Sequence, residues 1–274
     1  MGLGRGPNND LRADLLDRDA VLRAVDGLTC DAVIHAATAL KKPPIRHRDM
    51  AATNALRTSG TAHLIEATQS IGARRFIAET MIFGYGYGDF GQAVLTENDA
   101  FAPPGTTAPL ERHLAAMRVK EQLTFAASGI DGIALRYGLL YGAGATDPLV
   151  GMLRKRLVPA PADGGRVLPW VNLIDAASAT VAALDRGRVG EAYNVVDDAP
   201  LSMGAHIRAI AAAFGTPKPM TVPSWMMRPL SYAYAALTTN MRVSNAKART
   251  DLGWIPAYPT SADGLRTLAN TPVD

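Results

Sequence analysis

The segment Asp31-Ala-Val-Ile-His-Ala-Ala-Thr38 decides the fold class. It is a short apolar run with β-branched Val33 and Ile34 at its centre, and it ends in small residues, the pattern of a buried strand in a parallel sheet. On its N-terminal side, Val21 to Val25 reads as a helix entered through Asp17 and Asp19. On its C-terminal side, Asn54 to Ser70 repeats apolar residues at helical spacing through Leu56, Leu64, Ile65 and Ala67 until Gly72 stops it, and Arg75-Phe-Ile-Ala78 opens the next strand.

The alternation continues. Gly84-Tyr-Gly-Tyr-Gly88 leads to a long helix from about Pro109 to Ala127, closed by Gly129, and Ile133 to Tyr141 reads as another strand. Helices near Pro148 to Leu157 and from Asp175 to Arg186, with strands near Val167 to Val171 and at Tyr193 to Val196, complete a βαβ series. The expected fold is therefore α/β, a Rossmann-like doubly wound parallel sheet with a small C-terminal substrate-facing cap. Residues 1–146 and 171–200 are assigned to the nucleotide-binding core. Residues 147–170 and 201–274, rich in prolines such as Pro217, Pro219, Pro223 and Pro229, form the cap region.

Composition bounds the function classes. The 274 residues are 48% hydrophobic and 19% charged, which is globular composition and excludes a disordered chain. A formal charge of +3, spread over scattered arginines, gives no basic track for nucleic acid. Met1 to Asn9 is Gly- and Pro-rich without an apolar core, so it does not read as a signal peptide. The most apolar late segment, Ser224 to Leu237, is broken by Arg228 and Pro229 and falls short of a membrane span, so it reads as an amphipathic helix or lid. The lone Cys30 is expected to be a packed thiol in a reducing cytoplasm.

Nine segments in order resemble the extended short-chain dehydrogenase/reductases, the group of the NAD-dependent epimerases and dehydratases. They are Asp14-Leu15-Leu16-Asp17, Val33-Ile-His-Ala-Ala-Thr38, Thr53-Asn54 with Gly60-Thr61, Arg75-Phe-Ile77, Lys120-Glu121, Leu135-Arg-Tyr-Gly138 with Tyr141-Gly142, Trp170-Val171 with Asp175, Tyr193-Asn-Val195, and Ala246-Lys247 with Leu252-Gly-Trp254. The resemblance implies NAD or NADP as cofactor, with Asp14 and Leu15 flanking the adenine. It also implies that Ala36, Ala37 and Thr38 line the dinucleotide and that Lys120 reaches the nicotinamide ribose. Asn54 and Tyr137 complete the cofactor side. A small-molecule substrate, no nucleic acid, no membrane and no metal belong to the same expectation, and a homodimer is compatible with it.

The sequence departs from that pattern at four places. The opening strand, Gly-x-Gly-x-x-Gly turn and helix are missing, since Gly2, Gly4 and Gly6 are wrongly spaced; the resemblance implies an upstream segment in the native chain. The tyrosine expected four residues before Lys120 is Ala116, which leaves His113, two helical turns before the lysine, as the nearest proton carrier. The hydroxyl that holds the substrate oxygen falls to Thr80, with Tyr85 and Tyr87 in the following loop. Leu139 and Leu168 replace polar contacts to a nucleotide sugar, and Trp225, Met226, Met227, Tyr232 and Tyr234 are candidates for an apolar pocket.

The functional expectation is an NAD(P)-dependent oxidoreductase or epimerase-like enzyme acting on a small, less polar carbonyl or alcohol. Lys120, Thr80 and His113 are its catalytic candidates. The competing expectation is a non-catalytic NAD(P)-binding sensor or scaffold, for which Ala116 is the best support.

Overall fold

The computed structural model describes residues 1–162 and 165–270. Four strands form the central sheet: β1 (Ala32–His35), β2 (Arg75–Met81), β3 (Asp131–Tyr137) and β4 (Ala192–Val195), in the spatial order β4-β3-β2-β1. All neighbours are parallel, with Ala32 opposite Arg75, Ile77 opposite Ile133 and Ala134 opposite Ala192. Parallel strands require crossovers, and the intervening helices supply them on both faces.

The two faces follow from residue parity. Phe76 and Ala78 of β2 point toward a cluster built with Leu56, Leu64, Ala67, Val21 and Val25, from α1 (Arg18–Val25), the π-turn and α2 (Thr61–Ser70). Helix α3 (Ala108–Ala126) lies on this same face; a Cβ on Gly132 would sit 2.0 Å from the Thr124 carbonyl oxygen, so the glycine permits the close approach. Ile77, Ile133, Leu135 and Tyr137 point the other way, against Ala176, Ala179 and Ala183 of α4 (Leu173–Arg186). The alanine stripe at helical spacing lets α4 sit close to the sheet. Side chains cap three of the helices among the described residues: Asp17 accepts from the Ala20 N–H at 3.0 Å, Asn172 from Ile174 at 2.9 Å, and Ser202 from Ala205 at 3.0 Å.

The segment after Ala246 returns to this core. Ala248, Leu252 and Trp254 join the α4 face, and the Asp175 carboxylate accepts the N–H groups of Ala257 and Tyr258 at 2.7 and 3.0 Å. Paired ribbons complete the architecture among the described residues: Leu139–Tyr141 with Trp170–Asn172, Asp89–Leu95 with Asn240–Val243, Ala160–Ala162 with Thr221–Pro223, and Leu3–Gly4 with Leu11–Arg12. No helix among the described residues is long and apolar enough to cross a membrane.

Several expectations need correction. The run Asp31–Thr38 is a strand only over Ala32–His35, and it forms an edge of the sheet, with Ile34 47% exposed. Ile133–Tyr141 is two strands, because Gly138 turns the chain against the Trp170 backbone, where a Cβ would meet atoms at 2.9 to 3.0 Å. Cys30 is exposed, not packed, because it lies in irregular chain just before the strand. Ser224–Leu237 is a short 3₁₀ turn, Ser224–Met227, followed by the helix Ser231–Leu237.

One local irregularity positions the site. The helix that starts at Ala51–Ala55 passes through a π-turn at Leu56–Gly60 before continuing as α2. The carbonyls displaced by the wider turn find side-chain donors: Thr61 Oγ1 donates to Arg57 O at 2.8 Å, and His35 Nε2 to Leu56 O at 3.4 Å. A π-turn inside a helix is costly to keep and is often found at functional sites.

Candidate active site

The site lies at the carboxyl end of the sheet, where β1, β2, α3 and the π-turn converge. Lys120, on the buried face of α3, donates from Nζ to the His35 carbonyl at 3.2 Å. Burial holds its ammonium well below the usual lysine value, at about 7, while Glu79 opposes the drop and Arg57 adds to it. Burial pushes the Glu79 carboxyl up, and Lys120 and Arg57 work against that shift. A lysine so placed can switch between donor-rich cation and neutral amine near neutral pH.

One turn before Lys120, Ala116 is 5% exposed and offers no polar group. A further turn back, His113 is buried and both its ring nitrogens are occupied: the Asn54 amide donates to Nδ1 at 2.9 Å, and Nε2 meets His47 Nδ1 at 3.0 Å. The Asn54 amide is itself oriented, since its Oδ1 accepts from Arg57 Nη1 at 3.4 Å. His113 Nδ1 must then be an acceptor and Nε2 the proton carrier, donating to His47. Burial, the His47 ring and the Arg57 charge bring His113 down to about 4, so it is neutral at pH 7.

Aromatic rings close this end. His47 stacks on His113 at 5.2 Å, Tyr232 stands perpendicular to His113 at 5.2 Å and 90°, and Phe83 stacks on Tyr87 at 5.0 Å. The Tyr87 and Tyr232 hydroxyls meet at 3.1 Å. Tyr232 comes from the helix Ser231–Leu237, where the Tyr232 and Ala233 N–H groups both donate to Ile45 O, at 3.0 and 3.1 Å.

Thr80 sits on the α3 face of β2, where its hydroxyl donates to Glu121 Oε1 at 3.1 Å. Arg136, opposite Thr80 in register, makes a forked pair with Glu121 at 2.9 and 2.8 Å and donates to the Tyr85 hydroxyl at 2.9 Å. Tyr85 in turn donates to Asn194 Oδ1 at 2.8 Å. The network is closed and buried, so Thr80 and Tyr85 are both committed within it.

The cofactor-side residues divide. Ala36 and Thr38 are exposed just past β1, and Asp14 is partly exposed, with Oδ1 accepting from the Leu16 N–H at 3.0 Å. Leu15 is buried in the α1–α2 cluster, and Ala37 packs against that cluster. Tyr137 faces α4, its hydroxyl 2.5 Å from Thr180 Oγ1, on the sheet face opposite Lys120's helix. Asn54 reaches His113. Trp225 and Met226 are 61% and 54% exposed, so of the late aromatic and methionine residues Tyr232 is the one drawn into the buried cluster. Small side chains at Ala36 and Thr38 and a buried amine at Lys120 fit a dinucleotide laid across the strand ends.

A four-stranded parallel sheet with helices on both faces and a buried lysine at its carboxyl end defines a doubly wound α/β protein with a candidate nucleotide site there. The family model of the NAD-dependent epimerase/dehydratase family matches residues 4–196, and the chain belongs to that family. A 3-diazoavenalumate denitrifying reductase from Streptomyces sp is 36% identical over 95% of this chain and 88% of its own length. In fold the chain is similar to the human epimerase family protein SDR39U1, solved with NADPH: TM-score 0.79, 16% identity, 98% of this chain and 90% of that one. It is also similar to the UDP-glucose 4-epimerase of Thermus thermophilus solved with NAD, at TM-score 0.73 and 21% identity, over 98% and 89% of the two chains.

Sequence reasoning passed over Arg57, His47 and Glu79. His47 lies in a Pro- and Lys-containing stretch without periodicity, and Arg57 stands on a helix face that only the π-turn rotates inward. Glu79 left a trace: an acidic residue directly after the apolar run Phe76-Ile77-Ala78 of a central strand is unusual unless it is partnered or used.

Proposed function

We propose that this chain is an NAD(P)H-dependent reductase whose acceptor takes hydride without a proton from helix position 116, an aryl diazonium being the class that fits. The single observation that carries the reading is Ala116, one turn before a buried Lys120. Reducing a ketone produces an alkoxide that needs a proton at once, and His113 and Thr80 have their polar atoms engaged with protein partners. Reduction of an aryl diazonium to arene and N₂ consumes the hydride that the bound nicotinamide supplies and no proton. The relative's name, a denitrifying reductase of a diazo compound, supports the same chemistry.

In this reading Lys120 donates to the nicotinamide ribose and fixes where the hydride leaves. Ala36 and Thr38 leave room for the dinucleotide, and Asp14 meets its adenosine end. The buried aromatic wall keeps water from the acceptor. Incubating the full chain with NADPH and a benzenediazonium salt is expected to release N₂ and arene in proportion to NADPH oxidised, with a large loss in Lys120→Ala. NADPH-dependent turnover of ketones with no N₂ from diazonium salts would overturn it.

Ala116 also favours a second reading, a non-catalytic NAD(P)-binding sensor. Tight binding of NADPH with no turnover of either diazonium or carbonyl compounds would select it.

A further inference from the structure

Arg57 is 8% exposed, yet the described residues give its guanidinium one hydrogen bond, the long contact to Asn54 Oδ1 at 3.4 Å, and no carboxylate within ion-pair distance. A guanidinium carries five donors, and this contact engages only one of its nitrogens. The π-turn holds it there, and its charge is felt at Lys120, Glu79, His113, Tyr87 and Tyr232, which places it at the acceptor end of the site. Glu79 and Glu121 both lie near enough to act on Lys120, and Glu121 is engaged by Arg136, so neither carboxylate is paired with Arg57.

We propose that Arg57 is the anion-recognition residue of this site and takes the carboxylate of an aromatic acid, whose ring lies among Phe83, Tyr87, Tyr232, His47 and His113. This rests on the reductase reading and extends it, by naming the second functional group of the acceptor. A planar guanidinium binds a carboxylate through paired hydrogen bonds, and the stacked and perpendicular rings offer flat walls to an aromatic body. The anion also offsets the positive charge that would otherwise repel a cationic acceptor. Asn54 sets the direction of the guanidinium, and His113 fixes Asn54 in turn. Entry requires the helix Ser231–Leu237 to swing back, which breaks the Tyr87 to Tyr232 hydroxyl contact and the two hydrogen bonds to Ile45 O.

The test is equilibrium binding of 4-hydroxycinnamate and its neutral amide to the full chain saturated with NADP⁺, for wild type, Arg57→Gln and Arg57→Lys. The acid is expected to bind about tenfold or more tighter than the amide in wild type, a ratio that falls to about one in Arg57→Gln and to an intermediate value in Arg57→Lys. An acid that binds no tighter than the amide in wild type, or a ratio retained in Arg57→Gln, overturns the inference. So does an Arg57→Gln variant that weakens NADP⁺ itself while keeping the ratio, which would give Arg57 to the cofactor. Should Arg57→Gln fail to fold, the wild-type ratio and Arg57→Lys decide. Acid selectivity that depends on Arg57 in a protein that reduces no diazonium leaves this inference standing and removes the reductase reading.

Discussion

Two arginines are buried within the same half of this molecule, and they are treated in opposite ways. Arg136 has a forked carboxylate at Glu121, the Tyr85 hydroxyl, and the Phe101 ring 3.9 Å from its guanidinium carbon. Arg57 has one long contact to an amide oxygen. Each donor nitrogen of the first is matched from within the chain, so that cation belongs to the architecture: it ties β3 to α3 and to the loop after β2. The second is left under-matched at the end of the sheet where a ligand arrives. A buried charge satisfied by the protein marks structure, and one held short of partners marks recognition.

The largest effect that tests this contrast is on stability. Glu121→Gln is expected to cost about 3–5 kcal/mol in chemical denaturation, because it strands the Arg136 charge. Arg57→Gln is expected to leave stability within about 1 kcal/mol or to raise it, because it removes a cation that has no anion to lose. Equal losses in the two variants would erase the distinction.

A smaller effect, on the Arg57 side of the comparison, is read by pH at His113. The folded chain holds His113 at about 4, below the ordinary histidine value, so on acidification the unfolded chain takes up that proton first. The stability tied to a neutral His113 is therefore intact above about pH 6.5 and is lost as pH falls toward 4. His113→Gln is expected to flatten the denaturation free energy across that window by up to about 3 kcal/mol. An unchanged slope would mean that the ring is accessible to protons in the folded state. Tyr232→Phe, which removes the contact to the Tyr87 hydroxyl, is expected to cost about 1 kcal/mol and to speed exchange of the Tyr232 and Ala233 amides with solvent. Unaltered exchange would show that the helix is held by its backbone ties alone.

Much of this was readable in the sequence. The start of β2 and the α3 and α4 helices were legible from short apolar runs, helix-forming stretches and the glycines and prolines that bound them, whereas Lys120 and the gap at Ala116 followed from the family resemblance. The ribbon Asp89–Leu95 was not legible: most of its residues face solvent, and its partner Asn240–Val243 lies about 150 residues downstream. The edge position of β1 was hidden for a related reason, since Val33 and Ile34 look equally apolar whether or not a neighbour covers them. Arg57 escaped because helical periodicity assumes a constant turn, and here the turn widens under that residue. Its partner Asn54 and that residue's own partner His113 were singled out separately, one for cofactor and one for proton transfer, and the hydrogen bond between them could not be inferred from positions 59 residues apart.

The π-turn has one more consequence. It contains one residue more than an α-helix needs over the same span, so deleting a single residue such as Ser59 would let the helix close regularly. Everything before the deletion would then rotate by about 100° relative to α2, carrying Arg57 and Asn54 off the site while the residues after Gly60 keep their seats. A single lost codon is thus a discrete genetic step by which a family member could discard anion selectivity without rebuilding its core.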